Sequence, residues 1–454
     1  MSVVDVSLRE WETLEAARGS VLSGRTLDGF DAGRQLAERL TKAGRVEILE
    51  LARGLELRAT SFVGRFSLGD ITVTIQPKLN GSPLLNLLRY AYGLRHLSLY
   101  ESVGYAATRF TFQDLLVQQL AAEARELLAR GIHRDYERRQ SELATPRGRI
   151  DFSRYAWGVC KARAVLPCIE HPRVEDTLLN QVLLGGLVFA ERVTSDVDLR
   201  AQVERLAKML AASVSEKRID GAVMAEVWRE TDRRTTAYEP ALIVIELLLR
   251  GEGVSLDGDV ERIRLPGFLF DMNRFFQALL SRFLRANLDG CEVEDECRFK
   301  GLFRYDPAKN PLRRRAPVQK PDFVVRRDRK IIAVLDAKYR DLWERALPRE
   351  MLYQLALYAL GQSGPTRRAA ILYPTMETAA RDQMIVVQEP VGGVSQAEVV
   401  MRPVKLLELD ELVRDQGLHA GRRRGAYASR LAFGDQEVIK DTGGMAGRMP
   451  CEPS

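Results

Sequence analysis

Two apolar runs joined by a short polar turn, with charges gathered at one end, constrain the fold of this chain more than any other feature. PDFVVR (321–326) and IIAVLDAKY (331–339) both read as strands, and the residues between them, 327–330, form the turn. Folded as a hairpin, they bring Asp322 opposite the neighbourhood of Leu335 and Asp336. Asp336 and Lys338 are two apart on one strand, so their side chains leave the same face. Two carboxylates and one ammonium therefore converge at one end of a hairpin. An edge hairpin with surface Asp and Lys is the plain alternative, but VLDAKYR is too apolar before the acid for a surface strand. Burying three charges is costly without compensation. A divalent cation supplies it, because Asp oxygens are hard ligands suited to magnesium.

That arrangement suits phosphodiester hydrolysis, which needs a nucleophilic water and a stabilised developing charge. Carboxylate-held Mg2+ lowers the pKa of bound water and polarises a phosphoryl oxygen. Lys338 is placed to orient or help deprotonate the water and to neutralise the transition state. Upstream, Arg298, Lys300, Arg304, Arg313, Arg314 and Arg315 interleave with Phe299, Phe303 and Tyr305, the electrostatic footprint of a phosphate-backbone contact. The net charge of +6 permits a polyanionic partner but does not require one.

Around this hairpin the chain divides into regions, and 454 residues leave room for two or three domains. Residues 1–110 read as strand-rich, with an alternating stretch at 55–79 that suggests a curled antiparallel meander. A helical middle region spans 111–255, interrupted by the basic turn Arg147-Gly148-Arg149, which is either a solvated loop or a phosphate or partner contact. After the Gly- and acid-rich break at 251–259, an α/β domain over 260–415 begins with a helix at 271–286. It continues through the hairpin to a helix at 350–360 and strands at 369–373 and 384–387. From 421 to 454 the pattern loses periodicity and a disordered tail is expected.

Other chemistries find little support. The five cysteines form no CxxC pair and the four histidines are scattered, which argues against zinc. The most apolar stretches, 182–190 and 241–249, fall well short of the ~20 residues needed to cross a bilayer. The first residues lack the blocks of a secretion signal, so a cytoplasmic protein with no membrane partner is expected. No GxxxxGK[ST] occurs, so any NTP hydrolysis must come from a partner.

The PD…DAK pattern resembles the PD-(D/E)xK nuclease superfamily. Gln354 and Tyr358 on the following helix match the Gln-x-x-x-Tyr of its RecB-like members. Taken in order, TVTIQPKL, TPRGRIDF, FLFDMNRFFQALL, KPDFVV and VLDAKYR resemble the McrC family, the nuclease subunit of McrBC-type modification-dependent restriction systems, over about residues 50 to 410. The resemblance implies an α/β PD-(D/E)xK domain that cleaves double-stranded DNA with Mg2+. Asp322, Asp336 and Lys338 would be catalytic, with Asp322 and Asp336 as metal ligands. It further implies an N-terminal region that docks on a hexameric AAA+ GTPase, McrB, stimulates its hydrolysis and leaves recognition of the modified base to it. One position departs: where family members commonly carry Glu, this chain has Gln277. As a metal ligand an amide would be the poorer one; otherwise Gln277 faces solvent or makes a core hydrogen bond. Two other readings stay open. One is an adaptor that activates the GTPase with vestigial cleavage, which Gln277 favours. The other is a stand-alone RecB-like nuclease, which the long N-terminal half disfavours.

Overall fold

The computed structural model describes residues 4–17, 19–27, 31–94, 111–156, 165–251, 267–299, 301–362 and 367–435. From the N-terminus come β1 (Val4–Arg9), β2 (Thr13–Leu14), α1 (Asp31–Lys42), β3 (Val46–Leu51), β4 (Gly54–Ala59), β5 (Phe62–Leu68), β6 (Ile71–Gln76) and α2 (Gly81–Tyr92). The stretch expected to form one meander is divided between two sheets. β4 pairs back on β3 and takes β2 on its other edge, whereas β5 and β6 form a hairpin that accepts β1 in parallel. Which strand pairs with which is decided by partners far away in sequence, and period-two alternation carries no information on that.

α3 (Phe112–Arg130) opens the middle region with a capping box between Thr111 and Asp114. Short elements follow: β7 (Asp135–Tyr136), β8 (Arg139–Leu143), β9 (Arg149–Ile150), α4 (Phe152–Ala156), β10 (Leu166–Glu170) and β11 (Arg173–Val174). They make two small sheets where helix was expected. Their charged, mostly exposed residues offer no apolar helical stripe, so only local pairing orders them. The basic turn sits here. Gly148 has φ +73, and a Cβ on it would lie 2.4 Å from the Ile169 carbonyl oxygen, so a side chain cannot fit. Helices then resume with α5 (Leu178–Val193), α6 (Val197–Ala211), α7 (Gly221–Glu230) and α8 (Glu239–Gly251). The expected boundary at 252–259 lies outside the described residues.

β12 (Gly267–Asp271) completes the N-terminal sheet, giving the order β1-β6-β5-β12. Its approach to β5 depends on Gly64, where a Cβ would meet the Phe268 carbonyl oxygen at 2.2 Å. Asp271 then caps α9 (Met272–Asn287), accepting the Asn273 N–H at 2.9 Å. One continuous segment thus passes from the N-terminal sheet into the C-terminal layer.

That layer contains β13 (Glu292–Asp295), β14 (Phe323–Arg327), β15 (Lys330–Ala337), α10 (Arg349–Leu360), β16 (Arg368–Thr375), β17 (Gln383–Gln388) and β18 (Ser395–Lys405), followed by α11 (Leu406–Arg414) and α12 (Ala420–Phe433). The six strands form one mixed sheet in the order β13-β14-β15-β16-β18-β17. α12 corrects the expectation of a disordered tail from 421. Tyr427, Ala428, Leu431 and Ala432 are buried on one face of it, and α9 supplies the packing surface. Positions 436–454 lie outside the described residues.

β15 divides its side chains between two cores. Ala333, Leu335 and Ala337, and Tyr339 just beyond the strand, enter the large core shared with the N-terminal sheet and α9. Val334 enters a smaller core against Leu355, Tyr358 and Ala359 of α10. Asp336 and Lys338 have the parity of Val334. Cys168, Cys291 and Cys297 are free, and no described helix is long and apolar enough to cross a membrane.

Candidate active site

The register of β14 on β15 pairs Phe323 with Leu335, which sets Asp322 across from Asp336. Asp322 is held on both oxygens. Its Oδ2 accepts the Ala337 N–H at 2.7 Å, and its Oδ1 accepts the Gln277 Nε2–H at 2.9 Å. Lys338 is anchored through its backbone N–H, which donates to the Leu372 carbonyl on β16 at 3.0 Å. Three elements distant in sequence therefore meet at one end of the hairpin.

Burial raises the Asp322 carboxyl above its usual range, against the Ala337 amide, Gln277 and Lys338, while the Glu296 charge raises it further. Burial, and then the neighbouring Asp322 charge, pushes Asp336 up to about 7, with Lys338 opposing. Two like charges side by side favour sharing one proton over full ionisation. A cation between them would relieve the same repulsion.

Among the described residues, no group of three or more His, Cys, Asp or Glu side chains is disposed to hold a metal. Two carboxylates still fit magnesium, which characteristically keeps several waters and binds through one or two carboxylates plus substrate phosphates. The donor set is all oxygen and lacks the nitrogen and sulfur ligands of zinc.

The supporting residues gather at the same place. Gln354 Nε2 donates to the Tyr358 hydroxyl at 2.6 Å, and Tyr358 is fully buried with Phe299 packed edge-on to its ring. Burial raises the Tyr358 hydroxyl, and the charges of Asp336 and Asp322 raise it further, so the pair faces the carboxylates. Gln277 lies on the half-buried flank of α9 and hydrogen-bonds Asp322.

Arg313, Arg314 and Arg315 stand apart. They occupy an exposed loop pinned by Asn310, whose Nδ2 donates to the Arg314 carbonyl at 2.9 Å and whose Oδ1 accepts the Arg314 N–H at 2.9 Å. No ion pair joins them to the carboxylates among the described residues. Lys300 lies outside the described residues.

Sequence reasoning missed Glu296. Its backbone N–H donates to the Asp322 carbonyl at 3.0 Å, and its carboxylate adds to the negative potential there. Nothing in the local pattern CEVEDECRF marks it, because the pairing of β13 with β14 spans a long loop. Glu10, Trp11 and Asn273, which surround Tyr339, were missed for the same reason.

Residues 57–374 match the McrBC 5-methylcytosine restriction system component family. The chain belongs to that family. The McrC resemblance read from its ordered motifs therefore holds. Its fold is similar to a chain of the Thermococcus gammatolerans assembly of McrB AAA+ hexamers with bound McrC, with a TM-score of 0.63 and 18% identity over 94% of this chain and 100% of that one. A chain of the T. gammatolerans McrBC complex solved by cryo-EM aligns with a TM-score of 0.46 and 18% identity, over 63% and 88%. No curated protein matches the chain. The McrBC component thus has a mixed α/β architecture, with a strand-rich N-terminal part and helical regions.

Proposed function

We propose that the chain is the Mg2+-dependent DNA endonuclease subunit of a GTP-dependent, modification-dependent restriction complex, with a PD-(D/E)xK nuclease fold in its C-terminal layer. The observation that carries this reading is the pairing of Asp322 with Asp336 across β14 and β15, with Lys338 on the face of Asp336. Asp322 and Asp336 would hold the magnesium, which when bound supplies Lewis acidity toward a phosphoryl oxygen and acidifies a water. Lys338 orients that water and neutralises charge developing on the phosphate. The Ala337 N–H and Gln277 aim Asp322, and Gln354 with Tyr358 closes the α10 side. Arg313, Arg314 and Arg315 would draw the DNA backbone toward the sheet.

The partner is an McrB-like AAA+ GTPase hexamer, consistent with the McrB hexamers and bound McrC of the T. gammatolerans assembly. The chain stimulates its GTPase, and modified-base recognition belongs to that partner. Cleavage of methylated plasmid with the partner, GTP and Mg2+ tests the assignment. Asp336→Ala is expected to abolish cutting and to leave GTPase stimulation intact; a mutant that cuts at the parent rate sinks it.

One observation favours a second reading, a GTPase-activating adaptor with vestigial cleavage. The Gln277 amide occupies an Asp322 oxygen at a position where a carboxylate would add a third metal ligand. An unmutated chain that stimulates GTP hydrolysis but never cuts would establish it.

A further inference from the structure

Lys338 is followed by a residue that the N-terminal region grips. Tyr339 is fully buried and points away from the carboxylates, into the large core. Its hydroxyl donates to Glu10 Oε1 at 3.2 Å, and its carbonyl accepts the Trp11 Nε1–H at 3.0 Å. Its backbone N–H donates to Asn273 Oδ1 at 3.0 Å, and its ring meets Phe276 edge-on. Lys338 is thus fixed between its own tie to Leu372 and a neighbour held at four points.

Two of these points, Asn273 and Phe276, belong to α9, and the other two, Glu10 and Trp11, are tied to the N-terminal strands. Glu10 N–H donates to the Gln76 carbonyl at the end of β6, and Trp11 N–H to the Thr60 carbonyl between β4 and β5. Further contacts reach the residues beyond Tyr339. The Arg340 guanidinium lies 5.5 Å from the Trp11 ring centroid, Arg345 donates to the Trp11 carbonyl at 2.8 Å, and Lys78 pairs with Asp341 at 3.7 Å and Glu344 at 3.3 Å.

Two features of this joint cost free energy. Trp11 has φ +62, a left-handed conformation unfavourable for a bulky side chain. Glu10 is buried, with Oε2 lacking any hydrogen-bond partner. A phenylalanine at 339 would pack the same core without needing the Glu10 carboxylate. Strain and a half-satisfied carboxylate persist only where surrounding contacts impose them, and such spots gather beside functional groups.

We propose that Glu10 and Trp11 are positioning residues for Lys338, holding Tyr339 so that the N-terminal sheet sets where the Lys338 ammonium stands beside Asp336. The inference rests on the catalytic reading of Lys338 given above. It makes the N-terminal sheet a mechanical component of the cleavage site, and contacts on that sheet can reach the site through one residue.

The test uses the full chain with its GTPase partner and three variants. Glu10→Leu and Trp11→Phe are expected to slow cleavage roughly ten- to a hundredfold through kcat, the scale of a small misplacement of a reacting group, without raising KM for DNA. GTPase stimulation stays within about twofold of the parent. Glu10→Gln, whose amide oxygen still accepts from Tyr339 and Lys78, recovers most of the rate. Hydrogen exchange of amides 336–341 in the chain alone accelerates at least about threefold in Glu10→Leu but not in Glu10→Gln. Parent-rate cleavage in both Glu10→Leu and Trp11→Phe overturns the proposal, as does unchanged exchange. A full loss in Glu10→Gln, or GTPase stimulation falling in step with cleavage, overturns it too, because either reports general damage. Lys338→Ala separates the two levels. If that variant cuts normally, the catalytic reading fails, while exchange still decides whether Glu10 and Trp11 hold Tyr339.

Discussion

Glu10 and Asp336 are both acids that burial pushes up to about 7, on opposite sides of one strand end, yet their surroundings differ in kind. The Lys78 amide, the Tyr339 hydroxyl and the Lys78 ammonium all pull Glu10 back toward its charged form. At Asp336 the strongest influence after burial is a second carboxylate, Asp322, opposed mainly by Lys338. An acid with one oxygen held by donors of the chain itself is part of a joint. Two acids facing each other repel, and a cation between them would relieve that repulsion. The distinction lies in the neighbours and not in the shift.

Cleavage should break the symmetry between these acids most sharply. Asp322→Asn keeps the shape and an acceptor oxygen but removes a charge, and should slow DNA cleavage by more than about a hundredfold, beyond what groups that only support a ligand contribute. Glu10→Gln should stay within about threefold of the parent. Equal losses in both would erase the contrast. Gln277→Glu sharpens it from the other direction by adding a third carboxylate beside Asp322. The Mg2+ needed for half-maximal cleavage should then fall about tenfold, since ligand charge sets affinity for hard cations. The metal-free melting temperature at pH 8 should also fall, through added repulsion.

Stability against pH is a smaller test. Both folded-state values lie above the unfolded carboxyl range, so the folded chain binds more protons between about pH 4 and 7. Their effect is a loss of stability as pH rises through that window. Asp336→Asn should flatten part of the decline in metal-free melting curves. Saturating Mg2+ should flatten that same part and leave the Glu10 share untouched; a magnesium response that survives Asp336→Asn would place the cation elsewhere. The smallest effect belongs to the exposed loop. Replacing Arg313, Arg314 or Arg315 with Ala should lower the salt slope of DNA binding by about one each, with no change in cleavage at saturating DNA.

Local pattern made several elements legible. The apolar runs at 321–326 and 331–339 correspond to Phe323–Arg327 and Lys330–Ala337, and the helix expected at 271–286 is Met272–Asn287. Strand β18 escaped notice because Pro403 and a polar first half blur its alternation, and its place between β16 and β17 is fixed only by pairing on both sides. Helix α12 escaped because GRRRGAYASR looks like a tail until α9 is there to cover Tyr427 and Leu431. The carboxylate pair was legible because a short turn determines its register. Glu296 and the Tyr339 joint were not, since their partners lie up to 329 positions away.

The sequence by itself determined which charges meet at the hairpin, because Asp322, Asp336 and Lys338 lie within one turn of each other and strand parity orients them. Their family followed from the order of the motifs, and residues 57–374 carry it. Only the tertiary structure decided what surrounds them: that Gln277 donates to Asp322, that α10 closes one face, and that β1 ends against Tyr339. Parity and turn length act over a few residues and can be read along the chain. Burial, like-charge repulsion and the grip of one sheet on another arise only when distant segments share a space that excludes water.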